Sequence, residues 1–409
     1  MISYIPFIYF SFLTCLLFRK RGFDVSVYIS LLYVITSLCS IIMFNMGLVE
    51  DQKSHPSLFA TLVYCVLLTC CIIPIAKFKT KELELKISIK GEKFLTGMTY
   101  VFFIVFIAYT LINIEEIIYI LLFGDFAQLR TELINETIGH SVGMAGLFNT
   151  ILNLFASISF VMILVFFISI TYLKKGALFN MCALLGSLTN LLSQIIGISR
   201  AGFIYYAILF GICLVIFWRR LGLKIKMATT IPIGVLFLGM GLYFSRVTTD
   251  RFEDNYNYGG TQGGLVSYAG MPYSNFCYFF DNKPYTEFST RFLLPFTNFV
   301  LNGYRGGTER ELEMTNKTKM NCVVFMTFLG SFIMDCNQAM PFIYVLIFMA
   351  LMRHCIRNKH GTKLNLFWII LSFVLMTVPA IGCISYFYTS PFKNFCLIVL
   401  LGICKLKKI

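Results

Sequence analysis

Residues 246–282 read RVTTDRFEDNYNYGGTQGGLVSYAGMPYSNFCYFFDN, and they open a polar interval that runs to residue 320. Before this interval, apolar segments follow one another almost without a break from residue 2 to residue 245. After it, apolar segments return and continue to the C-terminal lysines. The interval is therefore the one stretch with room for a recognition surface. The apolar segments around it are expected to form a membrane scaffold.

The composition of the 409-residue chain is typical of a membrane protein. It is 58% hydrophobic and 13% charged, which is about half the charged fraction of an average soluble domain. The net charge of +14 could indicate nucleic-acid binding, but the basic residues lie in short clusters between apolar segments. Such clusters orient a membrane protein, so we exclude nucleic acid as a partner.

Apolar runs near the length that a bilayer requires, about 20 residues for a helix, recur along the chain. They predict an all-α polytopic membrane protein with about 11 transmembrane helices. The first run has no basic residue ahead of it and three behind it, the reverse of a signal peptide, so it is expected to remain as a helix. The predicted helices are 2–18, 25–48, 58–76, 94–113, 148–173, 177–197, 203–218, 227–245, 338–352, 364–385 and 392–404.

Six clusters of Lys and Arg alternate with these helices so that all six fall on one side. The positive-inside rule makes that side cytoplasmic, with the N-terminus outside and the C-terminus inside. The chain is thereby divided into helices 1–8 in 1–245, with an outer loop at 114–147, a large periplasmic loop at 246–337, and helices 9–11 in 338–409. Segment 321–335 is predicted to be re-entrant, because a full crossing would move a basic cluster outside. The clusters are 19–21, 77–93, 174–175, 219–226, 353–363 and 405–408.

Motifs of soluble enzymes and of metal sites are missing from the sequence. There is no GxxxxGK[ST], no GxGxxG after a strand, no HExxH and no GxSxG. The four histidines lie well apart, whereas catalytic zinc usually draws three ligands together. Most of the 14 cysteines fall in or beside apolar runs, and no CxxC occurs. We therefore predict neither a metal nor a cofactor.

Arginine outnumbers lysine on the predicted outer face, whereas the inner clusters favour lysine. A guanidinium offers a planar fork that binds phosphate through two hydrogen bonds, which suits a pyrophosphate-bearing ligand at a membrane surface. The alternative is pairing with nearby carboxylates such as Asp250 and Glu309, which contributes little at an exposed site. The outer arginines are Arg130, Arg200, Arg246, Arg251, Arg291, Arg305 and Arg310.

Arg200 differs from the other arginines because it lies in GISRAG, a very short turn. The flanking helices, 177–197 and 203–218, leave it no loop in which to be solvated. An ionisable side chain there is costly unless it faces a polar cavity, so Arg200 is a functional candidate.

The outer loop 114–147 is a second candidate region. Its apolar stretch 117–123 predicts an interfacial amphipathic segment that presents polar side chains to the outer face. A general base must lie within hydrogen-bonding reach of the proton it removes, and spacing alone does not choose one here. The candidates are Asp125, Glu132, His140 and Asp335.

Tyrosines recur in the Gly-rich part of the polar interval, among them Tyr268 and Tyr273. An aromatic face with a hydroxyl suits a sugar ring, which has apolar C–H faces and polar edges. These two residues are therefore candidates for substrate binding. The alternative is an aromatic belt at the membrane interface.

Three segments of the chain resemble the O-antigen, or oligosaccharide repeat-unit, polymerases of the Wzy type. They are GISRAGFIYY at 197–206, YAGMPYSNFCYFF at 268–280 and VFMTFLGSFIMDCNQAMPFI at 324–343. The resemblance extends to the layout of about a dozen helices with one large outer loop late in the chain. Asp335-Cys336-Asn337 stands where the family has an Asp-Phe-Gly-like turn, and a weak Arg-x10-Gly spacing joins Arg200 to Gly211.

The resemblance implies a GT-C-like membrane glycosyltransferase at the periplasmic face of the bacterial inner membrane. It implies a growing glycan on undecaprenyl pyrophosphate as donor and one lipid-linked repeat unit as acceptor, with O-antigen or capsule polysaccharide as product. Arg200 and Arg291 are then expected to bind pyrophosphate, while Asp335 or His140 accepts the proton. Arg130, Arg246 and Arg305 join Tyr268 and Tyr273 as the expected substrate-binding residues.

The implied partners are membrane lipids, a chain-length regulator and a flippase of the same pathway. An O-antigen ligase-like transferase is an alternative, because it shares the lipid-linked donor and outer arginines. A lipid-linked oligosaccharide flippase is an alternative from another class, although repeat symmetry and helices interrupted at mid-bilayer, which are typical of transporters, are not evident in the sequence.

Overall fold

The computed structural model describes residues 2–49, 55–80, 83–122, 144–197, 199, 201–222, 226, 234, 260–282, 315–316, 320, 325–335, 337–358, 363–388 and 390–406. Regular structure in these ranges is helical apart from one short pair of strands. In chain order the elements are α1 (Tyr4–Arg21), α2 (Val25–Asn45), α3 (Leu58–Phe78), β1 (Glu84–Leu85), α4 (Ile89–Ile112), α5 (Ile114–Leu122), α6 (Met144–Ile158), α7 (Val161–Ile168), α8 (Ala177–Ser187), α9 (Thr189–Ile196), α10 (Ala201–Phe217), α11 (Gly260–Asn282), α12 (Phe328–Asp335), α13 (Met340–Arg357), β2 (Lys363–Leu364), α14 (Leu366–Ile381) and α15 (Pro391–Leu406).

Three of the long helices begin at a polar side chain that caps them. Asp24 before α2, Ser57 before α3 and Ser88 before α4 each accept a hydrogen bond from the backbone amide three residues on, at 3.0–3.1 Å. Such a cap satisfies an amide that has no partner within the helix. Helix α2 contains no charged residue, and α3 contains none before Lys77.

The helices make the protein a multi-pass membrane protein. Among the described residues, six segments are long and apolar enough to cross a bilayer: α2, α3, α4, α8 with α9, α10 with the turn that follows it, and α13. The bent pair α6 and α7 would be a seventh. The predicted all-α polytopic fold is confirmed in this form. The count of 11 stays a prediction, since 227–245 lies outside the described residues apart from Gly234, and α14 and α15 have only 16 residues each.

Two predicted helices, 148–173 and 177–197, are broken in the structure. The first bends by 54° between Ile158 and Val161, and the second is interrupted at Leu188. Residues at the two breaks are joined by hydrogen bonds. The Asn190 backbone amide donates to the Ser159 hydroxyl at 2.9 Å, and the Asn190 side chain donates to the Ala156 carbonyl at 3.1 Å. A side chain inserted between backbone groups is a known cause of a helix kink.

Several loops that carry basic clusters lie together in the structure. Strands β1 and β2, from the loops before α4 and α14, pair in parallel, and the Lys86 amide donates to the Leu364 carbonyl at 2.9 Å. The Tyr172 hydroxyl donates to the Leu83 carbonyl at 3.0 Å, and the Arg220 guanidinium lies 5.1 Å from the centre of the Tyr172 ring. The sequence predicted that these loops lie on one side of the membrane. The assignment of this side as cytoplasmic stays a prediction.

The chain divides into two compact units. The first consists of Met1–Glu82, Asn257–Gly361 and Leu371–Phe395, and the second of Leu83–Tyr256, Thr362–Ile370 and Cys396–Ile409. The predicted helices 2–18, 25–48, 58–76 and 338–352 thus belong to the same unit as α11, which lies in the polar interval. The domain boundaries predicted from the sequence stay predictions.

The centre of the first unit is a cluster of fully buried aromatic rings. Phe10 of α1 stacks on Tyr33 of α2 with ring centres 5.3 Å apart, and Tyr64 of α3 lies 5.3 Å from Phe276 of α11. Helix α11 was not predicted, and it packs against α2 so closely that a Cβ atom on Gly270 would lie 2.7 Å from the Ser40 Cα. Part of the predicted recognition loop is therefore a core helix of the first unit.

Candidate functional site

Most of the residues predicted to act in catalysis lie outside the described residues. Asp335 is the last residue of α12, and its backbone alone is described. The roles of the predicted catalytic and substrate-binding residues that lie outside the described ranges stay predictions from the sequence. These residues are Arg130, His140, Arg200, Arg246, Arg291 and Arg305.

Tyr268 and Tyr273, the two candidates for sugar binding, are both buried in α11. The Tyr268 ring packs 4.3 Å from the Phe325 ring, centre to centre. Tyr273 is 3% exposed, its hydroxyl lies 2.7 Å from the Thr61 hydroxyl, and its ring centre lies 5.3 Å from that of Tyr64. Helix packing accounts for both rings, and a sugar-binding role for them stays a prediction.

Asn275 is a fully buried polar side chain between α11 and α12 that the sequence did not single out. Its amide nitrogen donates to the Phe325 carbonyl at 2.6 Å. Its amide oxygen is buried and accepts no hydrogen bond from the described residues. Because an unsatisfied buried acceptor costs free energy, this oxygen is a natural place for a water molecule or a ligand hydroxyl.

Helix α12 is held in place by aromatic packing and by the backbone. The Phe332 ring lies 4.1 Å from the Tyr344 ring of α13 and 5.1 Å from the Tyr386 ring. The Phe328 amide, at the start of α12, donates to the Gly382 carbonyl at 3.1 Å. With eight residues, α12 spans about 12 Å, which is far short of a bilayer crossing. The segment 382–388 and α13 thus fix the helix that ends at Asp335.

An acidic residue at that end of a helix is not explained by helix formation. The C-terminal end of a helix carries a partial negative charge, which disfavours a nearby carboxylate. Helix formation therefore does not account for Asp335, and its role as a general base stays a prediction from the sequence.

Tyr388 joins the segment 382–388 to α14. Its hydroxyl lies 2.5 Å from the Thr377 hydroxyl, and the side chain is buried. Burial raises the pKa of the Tyr388 hydroxyl well above its ordinary value. The hydroxyl therefore stays protonated at physiological pH and acts as a hydrogen-bonding group rather than as a base.

Lys393 places a positive charge beside this segment, and the sequence did not single it out. It lies in the first turn of α15, where a cation is opposed by the helix dipole. Its ammonium donates to the Phe387 carbonyl at 3.0 Å and lies 3.6 Å from the centre of the Phe387 ring. In the described part of the chain it forms no ion pair with a carboxylate.

These groups define the candidate site as the end of α12 at Asp335, the segment 382–388 and the first turn of α15. All belong to the first unit. The Phe332 and Tyr386 rings join α12 to the segment 382–388, and the Phe387 carbonyl joins this segment to Lys393. Among the described residues, no group of three side chains could hold a metal ion.

No known protein family, no curated protein and no solved structure matches the chain. The resemblance to repeat-unit polymerases therefore rests on the residues quoted from the sequence.

We expect a Tyr273→Phe substitution to lower the free energy of unfolding by about 1 kcal/mol, because it removes one buried hydroxyl interaction with Thr61. Thermal unfolding of the purified protein in detergent measures the change. Tyr119→Phe is the matched control, because Tyr119 is 53% exposed and should tolerate the same change without effect. Equal unfolding temperatures for both variants would contradict the described contact.

Proposed function

We propose that the protein is a polysaccharide polymerase that joins undecaprenyl-pyrophosphate-linked repeat units at the outer face of a bacterial inner membrane. One observation carries the proposal: two of the three segments that resemble the family, 268–280 and 324–343, pack directly against each other through Asn275 and Phe325. Segments that share a resemblance and also share a contact are suited to form one working site.

The reaction requires one bond to form as another breaks. A hydroxyl oxygen of the acceptor repeat unit attacks the anomeric carbon of the donor glycan. The bond from that carbon to the pyrophosphate oxygen breaks, and undecaprenyl pyrophosphate leaves with the bonding electrons. The hydroxyl proton passes to a base, which we assign to Asp335 or His140.

Cations stabilise the negative charge that develops on the leaving pyrophosphate. We assign this role to Arg200 and Arg291, with Arg130, Arg246 and Arg305 in support. Lys393 adds an amine group beside Phe387, in the segment whose Tyr386 ring packs on Phe332. No metal is required in this scheme, because fixed cations meet the need for charge neutralisation.

Deletion of the gene in its host tests the proposal through the glycan that remains on the cell. A polymerase mutant is expected to keep surface glycan of a single repeat unit, because transfer to the final acceptor continues. Gel electrophoresis of the surface glycan shows this as loss of the ladder, and a plasmid copy should restore it.

Two other outcomes would overturn the proposal. Accumulation of long lipid-linked polymer would indicate an O-antigen ligase-like transferase. Trapping of single lipid-linked repeat units at the cytoplasmic side would indicate a flippase. A flippase result would also remove the assigned roles of the arginines in pyrophosphate departure, whereas a ligase would still release undecaprenyl pyrophosphate.

A further inference from the structure

The first turn of α4 and the turn before α8 are joined by an ion pair. The Lys175 ammonium lies 2.5 Å from the Glu92 carboxylate, and both side chains are partly exposed, at 31% and 43%. The Lys175 carbonyl accepts from the Asn180 side chain at 3.0 Å. The Asn180 side chain in turn accepts a hydrogen bond from the Ser169 hydroxyl. Lys175 therefore holds this turn in place through both its side chain and its backbone carbonyl.

Three further lysines flank this ion pair and point to a positively charged surface. Lys90 and Lys93 lie on either side of Glu92 in α4, and Lys174 precedes Lys175. All three are exposed, and within the described residues none forms an ion pair. The single carboxylate of the group is already used by Lys175. A fixed, uncompensated cluster of this kind attracts anions.

Exposed apolar side chains lie near the lysines in the sequence. Ile89, next to Lys90, and Leu178, in the first turn of α8, are each 78% exposed, and Met181 one turn later is 58% exposed. A soluble anion would leave these side chains in water. A phospholipid offers a charged headgroup to the lysines and an acyl chain to the apolar side chains, so the surface matches both parts of one molecule.

We propose that an anionic phospholipid binds here, with its headgroup phosphate between Lys90, Lys93 and Lys174 and an acyl chain over Leu178 and Met181. The ion pair between Glu92 and Lys175 joins the first turn of α4 to the turn that contains Lys174. This site lies in the second unit and is independent of the proposed function. The predicted orientation places it at the cytoplasmic leaflet, where anionic lipids supply the negative surface potential.

Native mass spectrometry of the full chain in detergent tests the proposal by titration with phosphatidylglycerol and with phosphatidylcholine. The wild-type protein is expected to bind phosphatidylglycerol more tightly. The triple variant K90Q/K93Q/K174Q should lose this preference, with phosphatidylglycerol binding weakened by about tenfold or more. It keeps Lys175 and Glu92, so the ion pair that holds the two turns together is unchanged.

Two further variants separate a built site from diffuse charge. R19Q/K20Q/R21Q removes the same number of charges from the end of α1 and should keep the preference. K90R/K93R/K174R retains the charge and should bind like the wild type. Unchanged binding by K90Q/K93Q/K174Q would overturn the proposal, as would an equal loss in R19Q/K20Q/R21Q. If inorganic phosphate displaced phosphatidylglycerol and the length of the acyl chain had no effect on binding, the site would bind free anions. That result would also overturn the proposal.

Discussion

A Gly270→Ala substitution is expected to lower the free energy of unfolding by about 1–3 kcal/mol, because it forces two packed helices apart. The added Cβ atom would lie 2.7 Å from both the Cα and the backbone nitrogen of Ser40. These are backbone atoms of α2, so no rotation of a side chain can relieve the clash. Small residues at a helix contact allow such a close approach within a membrane. Thermal unfolding in detergent, followed by size-exclusion chromatography, measures the effect.

Gly97→Ala supplies the matched control, since a Cβ atom there meets no other atom within 4 Å. Both glycines lie inside long helices, so the intrinsic gain in helix propensity, up to about 1 kcal/mol, is the same for both. Gly97→Ala should therefore leave the unfolding temperature unchanged or raise it slightly. A stable Gly270→Ala variant would show that α11 does not pack on α2 as described.

The long apolar helices could be predicted from the sequence because membrane burial imposes both a minimum length and a composition. The predicted 25–48 and 58–76 correspond to Val25–Asn45 and Leu58–Phe78 in the structure. Helix α11 could not be predicted in this way, because its glycines and Pro272 are typical of a loop. Its helical state depends on packing against other helices, which local sequence does not encode.

The breaks in the helices were missed for a related reason. Nothing in the apolar run 148–173 marks Ser159 as the point of a bend, since serine also occurs inside regular helices. At the bend, Asn190, 31 residues later, donates its backbone amide to the Ser159 hydroxyl and its side-chain amide to the Ala156 carbonyl. Contacts between distant residues of this kind are visible only in the folded chain.

The candidate site shows the same division between pattern and contact. Charge and turn length singled out the outer arginines, which lie outside the described residues, and Asp335 was one of four candidate bases in the sequence. Asn275 and Lys393 give no comparable signal, because a single polar residue in an aromatic run or at a helix start is common. Their importance arises from burial and from the carbonyl groups of Phe325 and Phe387 that they meet.

An Arg200→Ala substitution is expected to abolish the polymer ladder in a strain that depends on this protein. Loss of one fixed cation at a leaving pyrophosphate should reduce the rate of transfer by about 10²–10³-fold, which is too slow to extend chains during growth. Single-repeat glycan should remain. The variant must be expressed at the wild-type level, which immunodetection of membrane fractions checks, and the ladder is read by gel electrophoresis.

Arg219→Ala is the matched control, because it removes the same charge near the other end of α10. Arg200 immediately precedes this helix, whereas Arg219 lies in the turn after it and is exposed. The predicted orientation puts Arg219 on the cytoplasmic side, away from the pyrophosphate. A strain with the Arg219→Ala variant should therefore show a normal polymer ladder. A normal ladder for Arg200→Ala would remove Arg200 from the proposed site. Loss in both variants would instead indicate that α10 requires charge at its ends to insert, because no reaction at the outer face needs both residues.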